Sequence, residues 1–201
     1  MPAPARRTPL QTRSQDTVQA ILRGASQLLS EAAFDEITTS RIAEAAGLSV
    51  GALYRFFSDK QEIFDAIAVQ ELEQFRAQVE SKLTARRLIF SPRKTLGQIL
   101  DTYLAFLDER PHFRVLALGG HISPRTRQQQ TDPSIGPGGL LQNLLASKLG
   151  GKATAKLRLR IRVASEVGDR LIAYAYQQET PAARAAVLEE LHELLPRYLL
   201  R

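Results

Sequence analysis

Apolar side chains recur along this chain at three- and four-residue intervals, the spacing of helices that bury one face. Val18, Ile21, Leu22, Ala25, Leu28 and Leu29 set a first helix over 14–32, with Ser14 placed to cap it. A second pattern runs from Thr38 to Phe57 in two short pieces. Ile63, Phe64, Ile67, Ala68, Glu71, Leu72 and Phe75 line a longer helix over 59–83. Leu96, Ile99, Leu100, Tyr103, Leu104, Phe106 and Leu107 mark another over 94–110, closed by Pro111, and a short one follows over 112–119. Residues 140–149 read as a further short helix. Ala153–Gln178 forms a long one with two apolar stripes, and Pro181 opens the last, which Pro196 should bend or end early. Between them, 84–94 reads as a basic loop or short helix. Residues 120–139, rich in Pro, Gly and Gln, read as a mobile loop, either a lid or a plain surface excursion. The first thirteen residues read as a flexible arm. Its Arg6, Arg7 and Arg13 either reach DNA or serve as solubilising charge.

The stretch Thr38–Ile63 carries the most information. Thr38 and Thr39 can cap a short helix with Ile42, Ala43 and Ala46 on one small face. Gly47 follows, where a chain leaving a helix needs a residue that tolerates positive φ. Leu48 fills the turn from inside. Ser49 can cap the next helix, about Val50 to Phe57, with Leu53, Phe56 and Phe57 inward. Ser58 and Gln61 have capping-box spacing for the helix after that. Ala43 allows the first two helices to cross closely. This is helix-turn-helix spacing, and it leaves the second helix free to enter a major groove. The spacing alone fits an ordinary helical hairpin in a bundle equally well.

The residues themselves resemble the N-terminal domain of TetR-family transcriptional regulators. The likeness rests on Phe34, Thr38-Thr39, Ile42-Ala43, Ala46-Gly47-Leu48-Ser49, Leu53-Tyr54, Phe56-Phe57, Lys60 and Ile63-Phe64, and it covers about residues 14 to 75. Ala33 departs from the family's usual Gly, and Phe56 stands where a His is common; neither lies on the expected DNA face. The resemblance implies an all-α chain with an N-terminal three-helix DNA-binding domain over 14–60. Residues 61–201 would then be a helical effector-binding and dimerisation domain. It also implies that Tyr54 and Lys60 hold phosphates.

On the exposed side of the second short helix, Val50, Gly51 and Ala52 are small enough to let the backbone approach bases, and the apolar ones can meet a thymine methyl. Arg55, and marginally Ser49, are its hydrogen-bonding base readers. Thr39, Ser40 and Arg41 would hold the opposite phosphate backbone. Phosphate contacts position and base contacts specify, so with few base readers part of the specificity should come from DNA shape. Tyr54 as a core aromatic and Lys60 as a solvated helix start are the plain alternatives.

The net charge of +6 changes this picture little. Charges over 1–60 nearly cancel, so the excess lies outside the expected reading head. Cys is absent, which excludes disulfides and thiolate sites, and His112, His121 and His192 are scattered. Neither metal nor cofactor is expected. No apolar run has the length of a membrane span, and no signal peptide is legible, so a cytoplasmic protein is expected. Catalytic motifs are missing. Gly151-Lys152 resembles part of a phosphate loop, but Ala146 and Ala153 stand where Gly and Ser/Thr are required.

The double-striped helix and the last helix are expected to form a homodimer as a four-helix bundle, through Leu157, Ile161, Ala164, Gly168, Leu171, Val187, Leu191, Leu194, Leu195 and Tyr198. The alternative is burial of both stripes within one chain. A cavity for an unidentified small-molecule effector is implied by the resemblance. The candidates are Tyr103, Phe106, Phe113 and Tyr174 for the walls, and Arg114, His121, Glu166 and Arg170 for the polar groups. Glu166 and Arg170 could instead pair with each other. The reading that results is a dimeric, ligand-responsive regulator, most simply a repressor on a palindromic operator. Its rival is a helical protein-interaction module without sequence-specific DNA binding.

Overall fold

The computed structural model describes residues 9–85, 91–130 and 154–200. All regular structure among the described residues is helical. The chain divides into two compact units, Met1–Ile67 and Ala68–Arg201.

In the first unit, α1 spans Pro9–Glu31, a 3-10 turn Phe34–Glu36 follows, then α2 (Thr39–Ala45), α3 (Val50–Leu53) and the start of α4 (Lys60–Ala85). The helix begins at Pro9, so the last five residues of the expected arm are helical. Proline suits a first helical position because its φ is already helical and no partner is needed for a missing N–H. Ile21, Leu29, Ile37, Ile42, Leu53, Ile63 and Phe64 are fully or almost fully buried and form the core of this unit. Phe34 lies against Phe64, ring centroids 5.2 Å apart. Gly24 permits the approach of α1 to α2: a Cβ there would lie 3.1 Å from the backbone of Ala45 and Ala46.

In the second unit the remainder of α4 is joined by α5 (Pro92–Glu109), α6 (Pro111–Leu118), α7 (Pro124–Gln130), α8 (Ala155–Tyr176) and α9 (Pro181–Leu199). Phe106, Leu107, Phe113, Leu116 and Leu191 have no accessible surface, and Phe75, Phe106 and Phe113 meet edge to face. The α8–α9 pair is an antiparallel hairpin. Gly168 leaves room on it, with Leu195 Cδ1 3.9 Å from where a Cβ would stand.

Three expectations give way here. The expected loop over 120–139 contains α7, because Ser123 caps Thr126 N–H at 3.2 Å and Pro124 supplies a first-turn φ; residues 131–139 and the expected helix 140–149 lie outside the described residues. Pro196 sits inside α9, which runs on to Leu199. And the box that starts α4 is shifted by one residue: Asp59 accepts from Glu62 N–H at 2.9 Å, while Glu62 reaches back to Ser58 N–H at 2.7 Å. Gln61 is turned to Asp65 instead.

Candidate functional site

The reading head is built on two caps and one turn. Thr38 accepts from Arg41 N–H at 3.2 Å and starts α2; Ser49 accepts from Ala52 N–H at 3.2 Å and starts α3. Between them Gly47 takes φ 68°, and the α2 terminus closes with Leu48 N–H on Ala43 C=O at 2.8 Å and Gly47 N–H on Glu44 C=O at 2.9 Å. That pair of bonds is a Schellman closure, which needs the left-handed residue that Gly47 provides. The α-helix proper of α3 stops at Leu53, short of Phe57. Arg55 N–H on Ala52 C=O and Phe56 N–H on Leu53 C=O tighten the end into a turn.

This geometry exposes Val50, Gly51, Tyr54 and Arg55, and leaves Ala52 half-buried. Tyr54 is 51% exposed, so it is not the core aromatic of the alternative reading. Its hydroxyl stands 3.2 Å from Thr39 Oγ1, which ties the first turn of α2 to the end of α3. Ser40 is exposed beside it. Arg41 is held by Glu36 C=O at 3.0 Å with the Glu36 carboxylate at 3.8 Å, so its guanidinium is already oriented. Lys60 is neither free nor simply solvated. It donates to Ile37 C=O at 3.2 Å and lies 5.2 Å above the Phe34 ring. An ammonium carries three donors, and one is committed here. Among the described residues the Arg55 guanidinium makes no hydrogen bond or ion pair.

The eight residues expected around an effector do not converge. Phe106 and Phe113 are core rings without accessible surface. Arg114 lies 3.7 Å from Asp108 and 5.1 Å from the Tyr176 ring centre. There Arg184 also binds Asp108 at 3.0 Å, and burial pushes the Tyr176 hydroxyl up to about 12, helped by its hydrogen bond to Asp108. His121 folds over Gly119, whose Cβ would stand 2.5 Å from the imidazole. Glu166 pairs with Arg127 of α7 at 3.7 Å rather than with Arg170. Arg170 and Tyr174 share the outer face of α8 with Leu159, Val163 and Val167, away from the core. Tyr103 is half-buried on α5, against Phe75. Burial raises its hydroxyl well above the ordinary value, and the charge of Asp169 adds to the effect. Asp169 and Arg127 carried no signal in the sequence beyond being charged residues in a helix and in an expected loop.

The expected dimer residues are redistributed in the same way. Leu157, Ile161, Ala164, Gly168 and Leu191 are buried within one chain, the first three in a cluster with Leu96 and Leu199. Their stripe packs on α9 and α5 of the same chain, so it is not available to a second copy. Leu171, Val187, Leu195 and Tyr198 are half-buried. Of the ten, Leu194 is exposed, together with the second α8 stripe of Leu159, Val163, Val167 and Tyr174. A groove of about 430 Å³ runs along this face, lined by Val163, Val167, Leu194 and Tyr198 and edged by Glu190, Glu193 and Arg197.

Two family models match these units. Residues 21–67 match that of bacterial regulatory proteins of the tetR family, and residues 91–201 match the tetracyclin repressor-like C-terminal domain. The chain belongs to the TetR family. A TetR-family transcriptional regulator from Streptomyces coelicolor superposes with a TM-score of 0.73 at 30% identity, over 92% of this chain and 98% of that one. The Thermus thermophilus FadR, a TetR-family repressor in complex with lauroyl-CoA, shares the fold at 21% identity with a TM-score of 0.64, over 92% and 95%. The nucleoid occlusion factor SlmA of Glaesserella parasuis is 32% identical over 84 residues, 42% of this chain. The chain spans 40% of that relative's length.

A TetR-family member is a DNA-binding transcriptional regulator and not an enzyme. Such regulators typically act as dimers. No helix among the described residues is long and apolar enough to cross a membrane.

Proposed function

We propose that this chain is a ligand-responsive repressor that binds a palindromic operator as a homodimer. Residues 14–60 serve as the reading head, and the remainder as the effector-binding and dimerisation body. The observation that carries the DNA-contact reading is the Thr39–Tyr54 bridge at 3.2 Å on an exposed face. The two hydroxyls stand side by side at the junction of α2 and α3, where a phosphate can accept from the one whose proton the bridge does not use. Val50, Gly51 and Ala52 then lie toward the base edges, with Ser49 at the cap and Arg55 beyond them. Ser40 and Arg41 hold the flanking backbone. Lys60 contributes a second phosphate contact through the donors that Ile37 leaves unused.

The dimer forms through the exposed face of α8 and α9. Leu159, Val163, Val167, Tyr174 and Leu194 are large exposed apolar groups, and Val163, Val167 and Leu194 line one groove. A contiguous apolar patch of this kind marks an interaction surface, and a two-fold copy would present the same patch to it. The effector reading draws support from the shared fold of a repressor that holds an acyl-CoA. Effector binding would favour a geometry in which two half-sites no longer fit, which requires different affinity for the two states.

The test is selection of genomic fragments with the purified chain, followed by gel shift of the enriched DNA at two salt concentrations. An enriched inverted repeat, bound by two chains with a salt slope of several phosphates, is the expected result. Salt-sensitive binding without enrichment would leave the interaction-module reading in its place.

A further inference from the structure

The 3-10 turn between α1 and α2 does more than close the core of the first unit. Its first residue, Phe34, sets its ring against the buried Phe64, centroids 5.2 Å apart. Ile37 closes the turn by donating its N–H to Phe34 C=O at 3.2 Å, and its side chain has no accessible surface. The ring of Phe34 and the backbone of Ile37 are thus both anchored in the core.

Both meet Lys60, the first residue of α4, which is half-buried. Its ammonium donates to Ile37 C=O at 3.2 Å and stands 5.2 Å from the centre of the Phe34 ring. That distance is within the range over which a ring face attracts a cation. A free lysine side chain samples many rotamers, and holding it against a phosphate costs that freedom. Here the freedom is lost on folding instead. The carbonyl takes one of the three ammonium donors, and the ring face can engage one more, which leaves an N–H for a phosphate. Neither holding group carries a charge. A carboxylate in the same place would grip the ammonium harder but cancel the charge that attracts a phosphate. Among the described residues Lys60 makes no ion pair, whereas Arg41 has the Glu36 carboxylate at 3.8 Å.

We propose that Phe34 is a positioning residue for DNA binding. Its ring, together with the Ile37 carbonyl, holds the Lys60 ammonium ready for a phosphate without neutralising it. The proposal rests on the reading of Lys60 as a phosphate contact given above and adds the group that orients it.

The test is a double-mutant cycle in the full chain. Fluorescence anisotropy reads binding to a labelled mixed-sequence DNA duplex over a series of salt concentrations. Phosphate contacts operate in sequence-independent binding too, so this probe suffices. Lys60→Ala should lower the salt slope by about one. Phe34→Leu keeps an apolar side chain against Phe64 but removes the ring. It should weaken binding about threefold or more in the wild-type background and change nothing in the Lys60→Ala background. Phe34→Tyr, which keeps a ring, should bind as wild type does. Urea unfolding gives the folded fraction of each variant, and Phe34→Met is a second ring-free variant with a more adaptable side chain should Phe34→Leu lower that fraction. An equal loss in both backgrounds would make Phe34 a packing residue only, and no loss in either would make its ring idle. Each of these overturns the proposal, and a lowered slope for Lys60→Ala would still leave the phosphate reading standing. An unchanged slope for Lys60→Ala would remove that reading and this proposal with it.

Discussion

Replacing Asp169 by Asn should make the stability of this protein less sensitive to pH. Burial, opposed by Arg127 and reinforced by Glu166, raises its carboxyl from 3.8 to about 7. Between those values the folded chain holds a proton that the unfolded chain has released. Stability therefore falls as pH rises through that window, and it falls no further once the folded group has ionised. From pH 5 to pH 7 the full effect would be about 2.7 kcal/mol, at roughly 1.36 kcal/mol per unit. Asp169 is half-buried and so retains some solvation, which reduces the expected figure to about 1–2 kcal/mol. Asn cannot titrate and keeps nearly the same shape. The stability gap between Asp169→Asn and wild type should thus widen, in favour of the variant, by about 1–2 kcal/mol from pH 5 to pH 8. For a chain of this size that is a relative gain of about 2–8 °C. Urea unfolding at one fixed protomer concentration reads it, since any dimer makes stability concentration-dependent. Glu166→Gln should flatten the wild-type pH dependence, and Arg127→Ala should steepen it. A gap that stays constant from pH 5 to pH 8, or a wild type that gains stability over that range, would show that Asp169 is not the buried acid inferred here.

Three further outcomes follow from the same geometry. Gly47→Ala should cost about 1–2 kcal/mol, read by urea unfolding, because φ 68° is unfavourable for a residue with a Cβ even though nothing lies within 4 Å of that atom. Thr39→Ala and Tyr54→Phe should each weaken operator binding in gel shift, and the double variant should lose less than the sum, since the two hydroxyls form one unit. Strict additivity would mean that they act apart. Val163→Glu with Leu194→Glu should yield monomers in sedimentation while the far-ultraviolet helical signal is kept, because both side chains are exposed in a single chain.

The head was legible because its signals are local. A cap, a turn glycine and the residues beside them act within a few positions, so Thr38, Gly47 and Ser49 could be read before any tertiary contact was known. Even there the local rules left a choice. Ser58-Gln61 and Asp59-Glu62 both satisfy the spacing of a capping box, and the carboxylates win because a charged acceptor makes the stronger bond to a free N–H. Gly24 was not legible. It looks like a weak point in α1 until α2 is seen to press on it at 3.1 Å. Lys60 was half legible: its place in the first helical turn was evident, but its bond to Ile37 depends on a contact across 23 positions.

The body shows why periodicity locates a face without naming its partner. Both stripes of α8 are apolar at helical spacing, and each alone would satisfy a bundle. What separates them is side-chain size. Ala164, Gly168 and Ala175 sit on one stripe and let a neighbouring helix of the same chain come close, so that stripe is consumed internally. Leu159, Val163, Val167 and Tyr174 on the other are larger and remain uncovered by this chain. The small residues were read as the seam between two chains because close approach is needed in either case. Intrachain contact takes precedence because the four-residue connection over 177–180 holds α9 beside α8 permanently, at an effective concentration no second chain can match. The stripe with the tightest fit therefore goes to the tethered helix, and the exposed stripe is the one left to select a separate partner.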